Sequence, residues 1–141
     1  MQATKLRIGF VGAGTNTRER HIPGFRTLPG VELAAVVNRS RTSSERVARE
    51  QCIPRVADDW RELVAASDLD AICIGTWPYL HAEVSIATLT AGKHVLTEAR
   101  MAMNTAESEA MLTALRAAQV HHPGLADGQP GHDSQPSLVA Q

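Results

Sequence analysis

One short segment near the start of the chain restricts the fold more than any other feature. Residues 6–11 are apolar and rich in strand-forming residues, and they run directly into Gly12, Ala13 and Gly14. This pattern predicts a strand that ends in a tight turn, because glycine reaches backbone conformations that other residues avoid. The next strand pattern begins only at Val31, so residues 17–28 must cross over between the two strands.

Strand and helix patterns then alternate along the chain. Further strands are predicted at residues 31–37, 54–56, 70–74 and 94–97, and helices at residues 42–51, 59–66, 79–91 and from Asn104 to about residue 118. The first crossover is predicted as an unusual helix, broken or shifted near Pro23. Such alternation favours parallel strands joined by right-handed crossovers. We predict an α/β fold: a three-layer, doubly wound parallel sheet in the strand order 3-2-1-4-5.

The character of the sequence changes after Gln119. Residues 119–141 contain many glycines and prolines and no lysine or arginine. We predict one domain over residues 1–118 and an irregular or disordered tail over residues 119–141. The tail carries three histidines without a carboxylate or cysteine partner at ligand spacing, so no metal site is predicted. These histidines are His121, His122 and His132.

Composition excludes several classes of partner. The 14 basic and 15 acidic side chains give a formal charge of −1, and aromatic residues make up only 4% of the 141 residues. These values give no electrostatic case for binding nucleic acid or an anionic membrane. No leader segment and no membrane-spanning apolar run is recognised, and the two isolated cysteines indicate no disulfide framework. We therefore expect a cytoplasmic protein.

The glycine turn predicts a phosphate site. Gly12 and Gly14 would let the backbone approach a pyrophosphate, and the amides of Thr15, Asn16 and Thr17 at the helix start would donate to it. Thr17 stands where the usual fingerprint has a third glycine, so we expect looser packing of helix on strand there. The turn therefore predicts binding of a dinucleotide.

The end of the second strand bears on which dinucleotide is bound. The chain reads Asn38-Arg39-Ser40-Arg41, with no carboxylate to accept hydrogen bonds from the adenosine ribose. Arginine binds phosphate through paired hydrogen bonds, and Ser40 adds a hydroxyl donor. We expect NADP to be preferred over NAD. The alternative is that Arg39 and Arg41 belong to a solvated loop.

Three motifs in order resemble the Gfo/Idh/MocA (glucose–fructose oxidoreductase, inositol dehydrogenase) family. They are residues 8–14, the turn Thr76-Trp77-Pro78-Tyr79-Leu80-His81, and the run over residues 91–98, and the resemblance covers roughly residues 5–118. It implies the NAD(P)-binding Rossmann domain of a sugar or polyol dehydrogenase. It also implies that Thr76, Trp77, His81 and Glu98 lie at the cofactor crevice. His81 could instead cap or pack the helix, and Trp77 could plug the sheet edge.

The chain departs from this family at two points. The family's Glu-Lys-Pro signature, whose lysine is often catalytic, reads Glu98-Ala99-Arg100 here. Alanine cannot donate or carry charge, so we predict no catalytic residue and little dehydrogenase activity. The family's second, substrate-binding domain is also not recognised, which would follow from a truncated gene or a natural stand-alone module.

Three hypotheses of function stay open at this level. The chain could be a dinucleotide-binding module, a subunit that docks a separate substrate-binding chain, or a scaffold that self-associates without a working cofactor site. Without the second domain, apolar surface should be left beyond the fifth strand and the last helix, and we therefore predict a homodimer.

Overall fold

A six-stranded parallel sheet forms the centre of the molecule. The computed structural model describes residues 4–118 and the backbone of residues 138–140. The strands lie in the order β3-β2-β1-β4-β5-β6, so the order predicted for the first five strands is confirmed. Their bounds are β1 Leu6–Val11, β2 Val31–Val37, β3 Arg55–Val56, β4 Ala71–Ile74, β5 His94–Thr97 and β6 Leu138–Ala140.

The sixth strand was not predicted. Its three residues pair in parallel with β5, Val95 opposite Leu138 and Thr97 opposite Ala140. Three residues are too few to show a period of their own, so the open edge of β5 supplies the pairing that the sequence pattern does not indicate. The rest of the tail, residues 119–137 and 141, lies outside the described residues, and the predicted domain boundary stays a prediction.

Within the described residues, five α-helices cover the two faces of the sheet. They are α1 Ile22–Arg26, α2 Arg41–Glu50, α3 Trp60–Ala65, α4 His81–Thr90 and α5 Thr105–Ala117. One buried cluster joins the sheet to α1 and α2 through side chains such as Ile22 and Val47, and the other joins it to α3, α4 and α5 through Leu63, Val84 and Leu115. The predicted three-layer arrangement is therefore confirmed.

The first crossover is irregular before Pro23 rather than at it. A π-helical turn, Thr17–His21, precedes α1, and Pro23 stands in the first turn of α1, where a missing amide donor costs nothing. Helix α2 starts earlier than predicted, because the Ser40 side chain accepts a hydrogen bond from the Ser43 amide at 3.2 Å. Asp59 and Asn104 cap α3 and α5 as predicted.

Lys93 fixes the connection between α3 and β4. Its side chain is buried, and its Nζ donates to the carbonyl oxygens of Ala66 at 2.7 Å and Leu69 at 3.0 Å. Burial lowers the pKa of this ammonium group.

No helix of the described part of the chain is both long and apolar enough to cross a bilayer.

Candidate functional site

A cleft of about 610 Å³ opens where β1, β2, β4 and β5 end. Because all these strands are parallel, the loops after them meet at one edge of the sheet, which is where ligands bind in such folds. Ten of the residues predicted for the site line the cleft. They are Gly12, Gly14, Thr15, Asn16, Thr17, Asn38, Arg39, Thr76, Trp77 and Glu98.

The two glycines of the first turn have different tasks. Gly12 has a φ of +80°, and a Cβ atom there would lie 2.7 Å from Thr76 Cγ2 and 2.8 Å from the Thr76 amide nitrogen. Its own amide donates to the Val37 carbonyl oxygen at 2.8 Å. At Gly14, by contrast, a Cβ would meet no atom within 4 Å. Gly12 therefore lets the protein pack, whereas Gly14 keeps the cleft open.

The looser packing of helix on strand that was expected at Thr17 is not observed. Thr17 instead fits into the space left by the absent side chain of Gly75. Thr17 is 1% exposed, and a Cβ at Gly75 would overlap both the Thr17 hydroxyl and the Gly12 carbonyl oxygen. The Thr17 hydroxyl lies 3.3 Å from that carbonyl oxygen and 3.3 Å from Glu98 Oε1. A glycine at the end of β4 thus compensates for the glycine absent from position 17.

Glu98, just beyond the end of β5, is held by the π-helical turn. Its Oε1 accepts hydrogen bonds from Asn16 Nδ2 at 2.8 Å and lies 3.0 Å from His21 Nε2, in addition to the Thr17 contact. Asn16 and His21 are five residues apart, which is the spacing that a π-helical turn brings to one face. The irregular first crossover is therefore what lets three side chains reach one carboxylate oxygen.

Asn38, the first residue after β2, supports the glycine turn. Its Oδ1 accepts from the Ala13 amide at 2.7 Å, and its Nδ2 donates to Ser43 Oγ at 3.0 Å. The Asn38 amide in turn donates to Ser44 Oγ at 2.8 Å. These bonds link the turn after β1 to the start of α2, so the side-chain oxygen of Asn38 is already engaged.

The three cationic residues near the end of β2 are not equivalent. Arg41 does not line the cleft, because it bonds Glu45 at 2.8 Å and Asp58 at 3.0 Å, and these two carboxylates raise its pKa. Arg39 and Arg46 both line the cleft, are exposed, and form no ion pair with the described residues. Arg46 was not predicted from the sequence, where its only signal is its place on the second turn of α2.

Ser40 also lies outside the cleft lining, since its side chain caps α2. His81 is 1% exposed and does not line the cleft either. Its Nδ1 lies 2.7 Å from the Arg100 carbonyl oxygen and its Nε2 lies 3.0 Å from the Thr76 carbonyl oxygen. With both nitrogens facing backbone oxygens, His81 ties the turn before α4 to the segment after β5.

Three aromatic side chains are among those that line the cleft. Trp60, Trp77 and Tyr79 all line it, and Arg61 stacks over the Trp60 ring at 4.4 Å from the ring centroid. Of these, only Trp77 was predicted from the sequence.

Among residues 4–118 and 138–140, no three His, Cys, Asp or Glu side chains are grouped to hold a metal ion. The tail histidines His121, His122 and His132 lie outside the described residues.

Comparisons with known proteins agree with this geometry. Residues 6–122 match the family described as "Oxidoreductase family, NAD-binding Rossmann fold" (GFO_IDH_MocA). The chain is 38% identical over 117 residues to 1,5-anhydro-D-fructose reductase of Ensifer adhaerens, covering 81% of this chain and 34% of the reductase. It is 34% identical over 107 residues to 4-carboxy-2-hydroxymuconate-6-semialdehyde dehydrogenase of Sphingobium sp., covering 76% of this chain and 34% of that enzyme.

A solved structure has the same fold. A 3-ketoreductase from Actinomadura kijaniata, in complex with TDP-benzene and NADP, superimposes with a TM-score of 0.76 and 25% identity, covering 83% of this chain and 37% of that chain. The chain thus spans about a third of the length of the relatives it matches. It belongs to the Gfo/Idh/MocA oxidoreductase family, through the NAD(P)-binding Rossmann domain of that family.

Proposed function

We propose that this chain binds a nicotinamide dinucleotide in the cleft, and binds NADP more tightly than NAD. The observation that carries the preference is the pair Arg39 and Arg46, both exposed at the cleft and without an ion pair among the described residues. An unpaired guanidinium group is free to bind a phosphate through two hydrogen bonds. A similar ketoreductase was solved with NADP.

The residues of the cleft fit the rest of a dinucleotide. Gly14 leaves open space beside the amides at the start of the π-helical turn, as close approach of a pyrophosphate requires. Asn38 stands where an acidic residue would favour NAD, and its oxygen is occupied by Ala13. When bound, the nicotinamide would supply the acceptor or donor of hydride, whereas the protein would supply binding and orientation.

Calorimetric titration with NADPH and NADH tests the proposal. We expect NADPH to bind more tightly, and the variants Arg39→Ala and Arg46→Ala each to weaken NADPH binding about tenfold, since hydrogen bonds to charged groups contribute about 1.5–3 kcal/mol. Arg41→Ala is the matched control, because Glu45 and Asp58 already engage that side chain. Equal affinity for NADPH and NADH, or an effect of Arg41→Ala as large as that of Arg46→Ala, would contradict the preference.

We further propose that these 141 residues alone do not oxidise a substrate. Transfer of hydride from an alcohol also needs a group that takes the hydroxyl proton. Ala99 offers none where the family has lysine, and both nitrogens of His81 are directed at backbone carbonyls. We expect no reduction of NADP with a panel of sugars and polyols. Turnover that grows in proportion to the concentration of this chain would refute the proposal.

A second proposal, self-association or docking of a separate chain, is favoured by apolar side chains beyond β5. Met103 is 48% exposed and Leu112 on α5 is 42% exposed. A homodimer would bury them. Light scattering should give twice the chain mass, and Leu112→Lys should return it to the monomer mass. A monomeric parent chain would exclude the homodimer. The expected cytoplasmic location stays a prediction.

A further inference from the structure

Helix α5 is buried on one side and exposed on the other. Its inner side packs along α4, with Met111 fully buried and Leu115 against the buried cluster below. The outer side is exposed from the first turn to the last. A surface helix is ordinarily exposed on one side, so this exposure alone assigns no partner to it. The exposed residues are Thr105, Ala106, Glu109, Ala110, Leu112, Thr113, Arg116 and Ala117.

One stripe of this outer side places an apolar side chain between two opposite charges. Glu109, Leu112 and Arg116 follow one another at spacings of three and four residues, so they lie on one face of the helix. Leu112 is 42% exposed. Glu109 and Arg116 are exposed, and neither forms an ion pair with the described residues. Both charges of the stripe are therefore available to a partner.

The order of these side chains is complementary to itself when the helix is reversed. Consider two copies of α5 packed antiparallel about a two-fold axis that passes between Leu112 and Thr113. Glu109 of each copy then lies opposite Arg116 of the other, and the two Leu112 side chains meet at the axis. Because a two-fold axis repeats every contact, the pairing supplies two ion pairs around an apolar centre. A parallel pairing would instead place like charges opposite each other.

The neighbouring stripe of α5 permits close contact between two helices. Ala106, Ala110, Thr113 and Ala117 are exposed there and recur at spacings of four, three and four residues. The distance between packed helices depends on the size of the side chains at the contact. None of these four residues has a long or charged side chain that a second helix would have to displace.

We propose that α5 packs antiparallel on α5 of a second copy of this chain, through Leu112 and the two Glu109–Arg116 ion pairs. The proposal rests on the self-association proposed above and specifies its surface. The self-complementary order of charges favours a second copy over a separate chain, because a different partner would not require it. One pair of helices is smaller than a standard interface, so the dimer should be weak and should depend on protein concentration.

Reversal of the charges tests this alignment by sedimentation equilibrium at low ionic strength. Glu109→Arg and Arg116→Glu each create two like-charge pairs in the homodimer, and we expect each to raise the dissociation constant about tenfold or more. The double variant, with both substitutions, restores the two ion pairs and should dimerise like the parent. An equimolar mixture of the two single variants should form a heterodimer for the same reason.

Two controls separate association from folding. Arg49→Glu reverses an exposed charge on α2, in the layer on the opposite face of the sheet, and should leave the dissociation constant unchanged. Both charges of the stripe are exposed and unpaired in the single chain. Neither reversal should therefore change the free energy of unfolding of the dilute, monomeric chain.

The outcomes distinguish this helix pairing from the more general homodimer. A dimeric parent that responds to neither reversal would overturn the α5 pairing and leave a homodimer through another surface. A double variant as weakly associated as the single variants would overturn it in the same way. A parent that stays monomeric at every concentration would overturn both proposals and leave a separate chain as the occupant of this face. Binding of NADPH, measured by calorimetry, is independent of all three results.

Discussion

The two ends of the cleft are built on different principles. At the end near β2 and α2, Arg39 and Arg46 are exposed, and neither forms an ion pair with the described residues. At the end near β5, Glu98 is surrounded by three donors of its own chain. His81, below the same end, has both ring nitrogens within hydrogen-bond distance of backbone carbonyl oxygens.

The difference separates side chains that are free to contact a ligand from side chains that stabilise the fold. Side chains with free hydrogen-bonding capacity or bare aromatic surface can gain a ligand contact without losing a protein contact. Side chains that already hold the structure together lose a contact when they change partner. The β2 end therefore has side chains that are free to contact the proposed cofactor, whereas the side chains at the β5 end hold the domain together.

The largest effect should come from the turn that both ends share. Gly12→Ala would place a Cβ against the backbone of Gly75 and Thr76 at a positive φ. We expect a loss of about 3 kcal/mol or more in the free energy of unfolding, from strain and overpacking combined. Urea unfolding measures it.

Gly14→Ala is the matched control, because its Cβ meets no protein atom within 4 Å. It should keep the parent stability and lose affinity for NADPH. A stable Gly12→Ala variant that binds NADPH like the parent would mean that the turn is not under this constraint.

His81→Phe tests whether residues at the β5 end of the cleft stabilise the fold. Phenylalanine fills similar space but leaves the Thr76 and Arg100 carbonyl oxygens without the imidazole. We expect the free energy of unfolding to fall by about 2 kcal/mol, because the two carbonyl oxygens lose the imidazole and an acceptor left without a partner is costly. Well below the unfolding temperature, affinity for adenosine 2′,5′-bisphosphate should stay within about twofold, since His81 does not line the cleft. Normal stability combined with lost affinity would reverse the assignment.

Glu98→Gln should have a smaller effect. The amide keeps one acceptor oxygen but removes the charge that strengthens the bonds from Asn16, Thr17 and His21. We expect a loss of about 1 kcal/mol in thermal or urea unfolding, because charge-assisted hydrogen bonds are about twice as strong as neutral ones. Glu109→Gln, on the exposed side of α5, should change nothing measurable. Equal effects of the two substitutions would show that the cluster does not hold the π-helical turn.

The smallest effect concerns Asp59, which caps α3 directly before the cleft residue Trp60. The Arg61 amide, bonded to the Asp59 carboxylate, keeps the pKa of Asp59 below its usual value of 3.8. The contribution of this charged cap is therefore fully present above pH 3.8 and is lost as the pH falls through the lower folded-state pKa. Asp59→Asn does not titrate and caps about as well. We expect the stability of the parent relative to Asp59→Asn to decline between pH 5 and pH 2.5, and an unchanged difference would contradict the assignment.

Local patterns predicted the parts of the molecule that local chemistry determines. The apolar run before Gly12, the cap at Asp59 and the cap at Asn104 depend on residues close in sequence, and each was predicted correctly. Parallel strands also bring the ends of β1, β2, β4 and β5 together by topology alone. Ten residues that line the cleft could therefore be expected there without a structure, with Thr76, Trp77 and Glu98 also implied by the family resemblance. That these residues bind a cofactor stays a prediction.

The remaining features depend on partners far away in the sequence. Asp58, 17 residues later in the sequence, holds the Arg41 side chain outside the cleft lining. Thr17 fits against β4 because Gly75 has no side chain. The orientation of His81 depends on the Arg100 carbonyl oxygen. Strand β6 depends on the edge of β5. None of these partners is marked by a periodic pattern, so none of them could be predicted from the sequence.

Calorimetry of the unmodified chain with the two halves of NADP tests the central claim most directly. If the β2 end holds the cofactor, adenosine 2′,5′-bisphosphate should bind within about tenfold of the affinity of NADPH, and nicotinamide mononucleotide should give no measurable binding. Binding of nicotinamide mononucleotide as tight as that of the bisphosphate would contradict the division of the cleft described above. So would NADPH binding without any binding of the bisphosphate.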